Sequence, residues 1–159
     1  MSPSRKSKGA SHPQAVLVLV KPDGVHKGIA GTVMELFLAS GLRMRGLKLV
    51  QVSLRLAKAH YGHLREQKLF GEIVNYLTGK LHGGCPVVAM VLEGSHAVAR
   101  CRSMAGSTNP EDADPRSVRG KFGRVTTKGV FENLVHVSSD EQEARREIAL
   151  WFKKSELLK

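Results

Sequence analysis

Two stretches of the chain are continuously apolar. Ala15 to Val20 and Val87 to Leu92 each place six hydrophobic residues in a row, which is typical of strands buried on both faces of a sheet. A third stretch, Arg43 to Ser53, alternates apolar and polar residues over part of its length. It predicts a strand with one solvated face, and the phase slip at Leu49-Val50 predicts a bulge.

Helical periodicity fills the intervals between these strands. Apolar residues recur at steps of three and four in four segments: Gly28 to Ser40, Ser53 to Leu64, Phe70 to Leu77 and Ser95 to Met104. Each predicts an amphipathic helix. Ser53 and Ser95 are candidate N-caps, and Gly41 and Gly106 are candidate helix ends.

The resulting order is strand, helix, strand, helix pair, strand, helix, long loop, strand and helix. This order predicts an α/β sandwich in which helices cover one sheet. The long loop covers residues 106–132, which are broken by prolines and glycines. A loop of this length inside a compact domain is usually functional or disordered.

The last strand and helix carry the most informative chemistry. Asn133 to Val137 predicts a short strand that brings His136 to the front of a helix, where Ser138 or Ser139 can open a capping box. Along that helix Glu147 falls in the apolar stripe with Ala144, Ile148 and Trp151. A buried carboxylate needs a partner, and His136 is the nearest candidate. A histidine so oriented can be a general base, a metal ligand, a nucleophile or a purely structural partner.

Length and composition predict one domain. A chain of 159 residues with 42% hydrophobic content can bury one core and is short for two. Residues 1–12 are basic and aperiodic, so we expect a disordered tail followed by a domain at residues 13–159. No apolar run is long enough for a membrane span, and the basic start lacks the apolar segment of a signal peptide. These features favour the cytoplasm, where Cys85 and Cys101 would be reduced thiols.

The net charge of +11 favours anionic partners: nucleic acid, acidic lipid or free phosphates. Aromatic residues make up only 5% of the chain, which argues against a stacking surface for single-stranded nucleic acid. His60 and His63 have helical spacing but no further ligands, so a metal site there is disfavoured. His82 and Cys85 are interpreted as ordinary loop residues.

Cations accompany His136. Lys21 ends the first strand, Arg102 lies on a predicted helix, and the long loop adds Arg116, Arg119, Lys121, Arg124 and Lys128. Positive groups around an oriented histidine suit phosphoryl transfer, in which catalysis consists mainly of positioning and charge neutralisation. The sequence contains no P-loop, and Gly24, Gly28 and Gly31 do not fit the dinucleotide-binding pattern.

Six short motifs follow one another along the chain: Lys21-Pro22-Asp23-Gly24, His60-Tyr61, Pro86-Val87-Val88-Ala89-Met90-Val91, Thr108-Asn109-Pro110, Arg119-Gly120 and Asn133-Leu134-Val135-His136. Through these motifs, Ala15 to Phe152 resembles nucleoside diphosphate kinase. The resemblance implies an α+β fold with a ferredoxin-like βαββαβ core, in which helices cover an antiparallel sheet. It also implies a ping-pong transfer of the γ-phosphate of a nucleoside triphosphate to a nucleoside diphosphate.

The resemblance implies a role for each matched residue. His136 would be phosphorylated on the ring nitrogen nearer the main chain, with Glu147 and Ser138 as supporting partners. The phosphate ligands would be Lys21, Tyr61, Arg102, Thr108 and Arg119. Asn133 would contact the sugar together with Lys21, and Phe70 and Val130 would sandwich the base without reading its edges. Mg²⁺ would be carried by the nucleotide phosphates, with no metal ligand from the protein.

The sequence departs from the family pattern at several positions. Val137 and Lys121 replace a glycine and an aspartate, and a β-branched residue disfavours a positive φ if the glycine requires one. Extra residues occur between Thr78 and Gly84 and between Phe122 and Asn133. A homo-oligomer is expected, with a hexamer favoured over a tetramer or dimer. The alternative is a catalytically impaired module on the same fold that binds nucleic acid, to which the basic tail would contribute.

Overall fold

A four-stranded antiparallel sheet forms the centre of the protein. We describe a computed structural model, which covers residues 12–159. The strands are β1 (Gln14–Val20), β2 (Arg43–Val50), β3 (Val87–Gly94) and β6 (Val135–Val137), in the order β2-β3-β1-β6. All three pairings are antiparallel. The two continuous apolar runs are therefore the two central strands, as predicted.

Helices cover this sheet. They are α1 (Pro22–His26), α2 (Ala30–Leu38), α3 (Leu54–His60), α4 (Phe70–Leu77), α5 (Ala97–Ala105), α6 (Val118–Phe122) and α7 (Glu141–Trp151). Single 3-10 turns lie at Gly62–Leu64, Pro110–Asp112 and Lys154–Glu156. The predicted long loop contains α6 and a small hairpin of β4 (Arg124–Val125) and β5 (Phe131–Glu132). The mixed antiparallel architecture confirms the predicted fold class. In the described part of the chain, no helix is both long and apolar enough to cross a membrane.

Each face of the sheet carries its own hydrophobic core. On one face, alternate β1 residues such as Val18 pack with Phe37 of α2 and Cys101 of α5. On the other face, Leu19 and its neighbours pack with Leu77 of α4 and Trp151 of α7. Because both faces of the sheet are covered, the β1 side chains that point to either face are excluded from water. This explains the unbroken apolar run.

Strand β2 differs from its prediction. It ends at Val50 rather than Ser53, and the register shift lies between Met44 and Gly46. The solvated face is also inverted: Leu49 is 67% exposed, whereas Lys48 turns inward, with Nζ 4.7 Å from the Phe152 ring centroid. The C-terminal segment covers this face, and Lys48 Nζ donates to Glu156 there at 2.8 Å.

Of the N-caps predicted for three helices, one is confirmed and two are wrong. Ser53 does cap α3, since its Oγ accepts from Leu56 N at 3.1 Å. Helix α5, however, begins after His96, whose φ is 54° and whose side chain makes no cap bond. Helix α7 is capped by Asp140, whose Oδ1 accepts from Glu143 N at 2.8 Å. The segment predicted as one helix from Gly28 becomes α2, which begins at Ala30.

Some predictions concern residues with little or no structural description. The tail at residues 1–12 lies outside the described residues except for His12, whose Nε2 is 3.1 Å from Glu141 Oε2. Cys85 and Cys101 are both free thiols.

Candidate active site

His136 lies on β6, a short strand at the edge of the sheet, where it pairs with Leu19 of β1. The chain enters β6 through Leu134, which has a φ of 68°. This left-handed conformation is unfavourable for a residue with a side chain. Both backbone groups of Leu134 are held: the carbonyl accepts from Lys21 N at 2.8 Å, and the amide donates to Asp23 Oδ2 at 2.9 Å. The segment between Lys21 and Asp23 thus fixes the start of the histidine-bearing strand.

Val137 does not have a strained backbone. It lies inside β6 and pairs with Val18. Among the described non-glycine residues, positive φ occurs only at His96 and Leu134. A β-branched residue is therefore compatible with the backbone next to His136.

Glu147 on α7 contacts both His136 and Ser138. His136 Nε2 lies 2.8 Å from Glu147 Oε1, and Ser138 Oγ donates to Glu147 Oε2 at 2.6 Å. Ser138 Oγ also accepts from Leu17 N at 3.1 Å. The Glu147 side chain is 2% exposed and that of His136 is 19% exposed. Because the bond to Glu147 occupies Nε2, the other ring nitrogen, Nδ1, is left for a ligand.

A second histidine, His60, packs against the ring of His136. The ring centroid of His60 lies 4.4 Å from that of His136 in an edge-to-face arrangement. Trp151 Nε1 donates to His60 Nδ1 at 3.1 Å, so this nitrogen carries no proton. Burial lowers the pKa of His60 to about 2, and its ring stays neutral at physiological pH. His63 is exposed, whereas His60 is wholly buried.

His60, His136 and Glu147 have ligand atoms within 4.8 Å of one another, but they do not suit a metal. His60 Nδ1 already accepts from Trp151, and Glu147 is bonded to both His136 and Ser138. These hydrogen bonds occupy His60 Nδ1, His136 Nε2 and both Glu147 oxygens, whereas His60 Nε2 is buried without a described partner.

Lys21 is the central cation of the site. Its Nζ donates to Asn133 Oδ1 and lies 4.6 Å from the Tyr76 ring centroid. Asn133 in turn donates from Nδ2 to the Thr108 carbonyl at 2.8 Å. Lys21 is 7% exposed, and burial lowers its pKa to about 8 against the opposing effect of Asp23. The site therefore holds a desolvated ammonium group.

Arg119 and Arg102 add to this positive region. Arg119 donates from Nη1 to the Gly106 carbonyl and from Nη2 to the Val135 carbonyl, each at 2.8 Å. Burial, followed by repulsion from Arg102, lowers the pKa of Arg119 to about 10. In the described chain, Lys21, Arg102 and Arg119 form no ion pair with a carboxylate. Uncompensated cations at this density favour an anionic ligand.

Tyr61 lies at the edge of this region. Its ring centroid is 6.4 Å from that of His136, and burial raises the pKa of its hydroxyl. Tyr61 therefore remains protonated, as a hydrogen-bond donor, well above neutral pH. Thr108, which accepts from Asn133 through its carbonyl, is exposed.

The two residues expected to sandwich a base, Phe70 and Val130, are both only partly exposed. Phe70 is half-buried and packs against the core that contains Leu77 and Trp151. The adjacent Leu69 is 56% exposed and offers more free apolar surface. Val130 is half-buried in the β4–β5 hairpin and shares a pocket lining with Tyr76, Leu81 and Lys128.

Sequence reasoning missed three supporting residues. Asp23 holds Leu134 N, and Trp151 and Tyr76 lie against His60 and Lys21 respectively. Asp23 was visible within the Lys21-Pro22-Asp23-Gly24 motif as a polar residue between a buried strand and a helix. The contacts of Trp151 and Tyr76 arise only from tertiary packing and have no local sequence signal.

These features describe an α+β protein with a candidate anion-binding site beside one histidine held by a buried carboxylate, and comparison with known proteins identifies its family. A family model described as nucleoside diphosphate kinase matches residues 14–157. A nucleoside diphosphate kinase from Picosynechococcus is 45% identical over 144 residues, covering 91% of each chain. One from Thermus thermophilus is 43% identical over 145 residues, covering 91% of this chain and 99% of the other.

Solved structures agree. A halophilic nucleoside diphosphate kinase from Halobacterium salinarum in complex with CDP superposes with a TM-score of 0.84 at 35% identity, covering 93% of each chain. A structure of the enzyme from Borrelia burgdorferi, described as a transition-state mimic with bound vanadate and ADP, superposes with a TM-score of 0.83 at 32% identity. The match covers 92% of this chain and 91% of the other. The chain belongs to the nucleoside diphosphate kinase family. It is a phosphotransferase that acts on nucleotides.

Proposed function

We propose that the protein transfers the terminal phosphate of a nucleoside triphosphate to a nucleoside diphosphate through a phosphohistidine at His136. The observation that carries this proposal is the 2.8 Å contact between His136 Nε2 and Glu147 Oε1. It occupies Nε2 and leaves the Nδ1 lone pair available to a phosphate. Nδ1 attacks the γ-phosphorus, the bond from phosphorus to the bridging oxygen breaks, and the nucleoside diphosphate leaves.

The second half-reaction reverses these steps with a new acceptor. A terminal oxygen of the incoming nucleoside diphosphate attacks the phosphorus, the phosphorus–nitrogen bond breaks, and the electron pair returns to Nδ1. Throughout, Nε2 keeps its proton in the hydrogen bond to Glu147, so the carboxylate balances the positive charge that develops on the ring. The vanadate and ADP bound to the Borrelia burgdorferi relative support this kind of transfer.

The cations hold the phosphates in this proposal. Lys21, Arg102 and Arg119 neutralise phosphate oxygens, and Tyr61 and Thr108 donate hydrogen bonds. Asn133 and Lys21 contact the sugar. Of the described carboxylates near the site, Glu147 is hydrogen-bonded through both oxygens, and Asp23 is fully buried with Oδ2 accepting from Leu134 N. Mg²⁺ therefore enters as part of the magnesium–nucleotide substrate, in accord with its tendency to be carried by substrate phosphates.

The decisive experiment is labelling with γ-³²P-ATP. Wild-type protein should form a phosphoenzyme that is stable to base and labile to acid, and His136→Ala should form none while retaining most of its nucleotide affinity, since Lys21 and both arginines remain. His63→Ala is the matched control, because His63 is exposed and forms no hydrogen bond with the described site residues. Labelling of His136→Ala would place the nucleophile elsewhere. Absence of label from the folded wild type would favour the impaired nucleic-acid-binding module.

Base specificity should be low. If Phe70 and Val130, with the exposed Leu69 beside them, only stack on the base, no donor or acceptor distinguishes base edges. We expect ADP, GDP, CDP and UDP all to be phosphorylated, with purines somewhat favoured by their larger stacking area. Initial rates measured with each acceptor at equal concentration test this. Acceptance of one base alone would require an edge-reading residue.

We also propose that the protein is a homo-oligomer, with a hexamer favoured over a tetramer or dimer. The support is the sheet edge at β2, where Leu47 and Leu49 are 48% and 67% exposed. Exposed leucines on an edge strand are an aggregation hazard unless a partner covers them. Sedimentation equilibrium should give a mass that is a multiple of 17.4 kDa, and Leu49→Lys should lower it. A monomeric wild type would refute the proposal.

A further inference from the structure

A second cluster of potential ligands lies outside the phosphate site. It comprises His26 at the end of α1 together with His82 and Cys85, which belong to the glycine-bearing loop between α4 and β3. His26 Nδ1 and Cys85 Sγ are 3.8 Å apart. The ring centroids of His26 and His82 are 6.0 Å apart. The sequence-based interpretation of His82 and Cys85 as ordinary loop residues does not explain this convergence.

We propose that His26, His82 and Cys85 form a zinc site, with Nδ1 of each histidine and the Cys85 thiolate as ligands. Imidazole nitrogens with a thiolate are the donor set that Zn²⁺ prefers over Mg²⁺. Three protein ligands leave the fourth tetrahedral position for water. The site is distinct from the magnesium–nucleotide substrate, which the proposed function places at Lys21 and His136.

The strongest support is the hydrogen bonding of His82. Its Nε2 lies 3.2 Å from Glu132 Oε1. Glu132 Oε2 is paired with both Lys27 and Arg124, so Glu132 is a carboxylate that accepts, and His82 Nε2 is the donor in this contact. Nδ1 then carries a bare lone pair. That nitrogen is buried and has no hydrogen-bond partner among the described residues, and the whole side chain is only 7% exposed.

A carboxylate that orients a histidine in this way is characteristic of zinc sites. Metal-bound histidines usually donate their second ring nitrogen to a carboxylate or carbonyl, which fixes the tautomer and raises ligand basicity. Glu132 has this place relative to His82, and Lys27 and Arg124 in turn hold Glu132. The partner that orients His82 is therefore held in place without the metal.

The local sequence also has ligand spacing. His82-Gly83-Gly84-Cys85 places two ligand types three residues apart, the separation found in zinc-binding knuckles. The turn is closed by a hydrogen bond from Cys85 N to the His82 carbonyl at 3.0 Å. Gly83 and Gly84 have φ values of 62° and 76°, which glycine adopts without strain. The turn thus brings His82 and Cys85 to the same side of the loop.

Metal binding requires the three ligand side chains to move closer together, because the described group whose ligand atoms already lie within 4.8 Å of one another is His60, His136 and Glu147. Tetrahedral geometry with a Zn–S bond of about 2.3 Å and a Zn–N bond of about 2.1 Å places sulfur and nitrogen roughly 3.6 Å apart. The observed 3.8 Å between Cys85 Sγ and His26 Nδ1 is close to this value. Two imidazoles on one zinc have centroids roughly 5 Å apart, whereas those of His26 and His82 are 6.0 Å apart, so the two rings must approach each other for both Nδ1 atoms to bind one ion. A Cβ at Gly83 or Gly84 would meet nothing within 4 Å, so the turn has space to adjust.

Binding exchanges one proton for one metal ion. The Cys85 thiol releases its proton to solvent and the sulfur–zinc bond forms, while the two neutral histidines donate lone pairs without losing protons. Without metal, the contact between Sγ and His26 Nδ1 is a weak S–H···N hydrogen bond. The two states differ in a measurable way, because only the thiolate–metal bond absorbs light when the metal is cobalt.

The test uses full-length, nucleotide-free protein without a polyhistidine tag, stripped with chelator and titrated with Co²⁺. One cobalt per chain should give a thiolate-to-cobalt charge-transfer band, which Zn²⁺ should displace. Cys85→Ser should remove the band, and Cys101→Ala should keep it, because Cys101 is a fully buried residue of α5 that packs in the hydrophobic core. Cobalt bound at His60 and His136 could not produce the band, since no thiolate lies there.

Zinc affinity, measured by competition with a chromophoric chelator, separates the other contributions. His26→Gln should weaken binding at least tenfold, whereas His63→Gln, an exposed control, should not. Glu132→Gln should weaken it by about 10- to 100-fold, the usual effect of a partner that orients a ligand. Should His82→Gln fail to fold, the exposed His26 still carries the test. Absence of the cobalt band in folded wild type, or its persistence in Cys85→Ser, would overturn the proposal.

Discussion

Lys21 should impose a basic limit on catalysis. Burial lowers the pKa of this lysine from 10.5 to about 8 in the nucleotide-free protein. The ammonium group that neutralises phosphate in the proposed mechanism is therefore lost as the pH rises through about 8. Tyr61 does not titrate in the same range, because burial raises the pKa of its hydroxyl. Arg119, with a pKa of about 10, remains charged over most of the pH range in which Lys21 loses its proton.

The expected magnitude follows from the titration of one group. At pH 9 about one tenth of Lys21 would be protonated, so kcat/KM should be roughly tenfold below its plateau and should fall tenfold per further pH unit. Bound phosphates favour the charged form, so the corresponding limb in kcat at saturating nucleotide should move to higher pH. The separation between the two profiles measures how strongly the phosphates interact with the lysine.

Stability should vary in the opposite direction. Because the folded-state pKa lies below the unfolded value, the folded protein binds fewer protons than the unfolded chain between pH 8 and 10.5. The burial cost of the charged lysine, which is on the order of 3 kcal/mol below pH 8, is thus relieved as pH rises through this window. The free energy of unfolding of wild type relative to Lys21→Met should increase over the same range in which activity declines.

The assay is the pH profile of kcat/KM in a coupled nucleotide-exchange reaction, alongside urea unfolding at each pH. Lys21→Arg is the matched variant, because a guanidinium keeps its charge throughout. Its rate should be lower, since the geometry changes, but its profile should lack the limb near pH 8. A wild-type profile that stays flat to about pH 9.5, or the same limb in Lys21→Arg, would refute the assignment of this pKa.

Two further predictions concern α7 and α3. Glu147→Gln should slow single-turnover phosphorylation of His136 by about 10- to 100-fold with little change in nucleotide affinity, because orientation of the ring is impaired while the cations remain. Equal losses in rate and affinity would instead indicate general disruption of the site. Ser53→Ala should lower the free energy of unfolding by about 1 kcal/mol, since it removes the cap bond to Leu56 N; Ser95→Ala should change it far less, because Ser95 caps no helix. Urea denaturation of both variants checks the pair, and similar losses would contradict the assigned caps.

The central strands could be predicted from sequence because burial on both faces of the sheet requires every residue of the run to be apolar. The face of β2 could not, because it depends on where Phe152 and Glu156 fold back, more than 100 positions along the chain. Ser138 shows the same limit. Its spacing to Glu141 fits a capping box, but its hydroxyl instead donates to the buried Glu147, a partner that competes successfully because it lies in the interior.

Part of the site could also be predicted from local sequence patterns. Helical periodicity placed Glu147 inside the apolar stripe of α7, and a buried carboxylate requires a donor, which led to His136. The β4–β5 hairpin was missed because each strand has only two residues, too few for any periodicity. His60 was seen as a buried helix residue, but its contact with His136 depends on how α3 packs against α7.

Leu134 limits how the sequence of this region can vary. Its φ of 68° favours glycine, yet its side chain is fully buried in the core. Glycine would relieve roughly 1–2 kcal/mol of backbone strain but would forfeit about 2–5 kcal/mol of core packing, and valine or isoleucine would increase the strain. In a library randomised at this codon, selection for folded protein should retain leucine and its unbranched relative methionine, although a backbone rule alone would choose glycine.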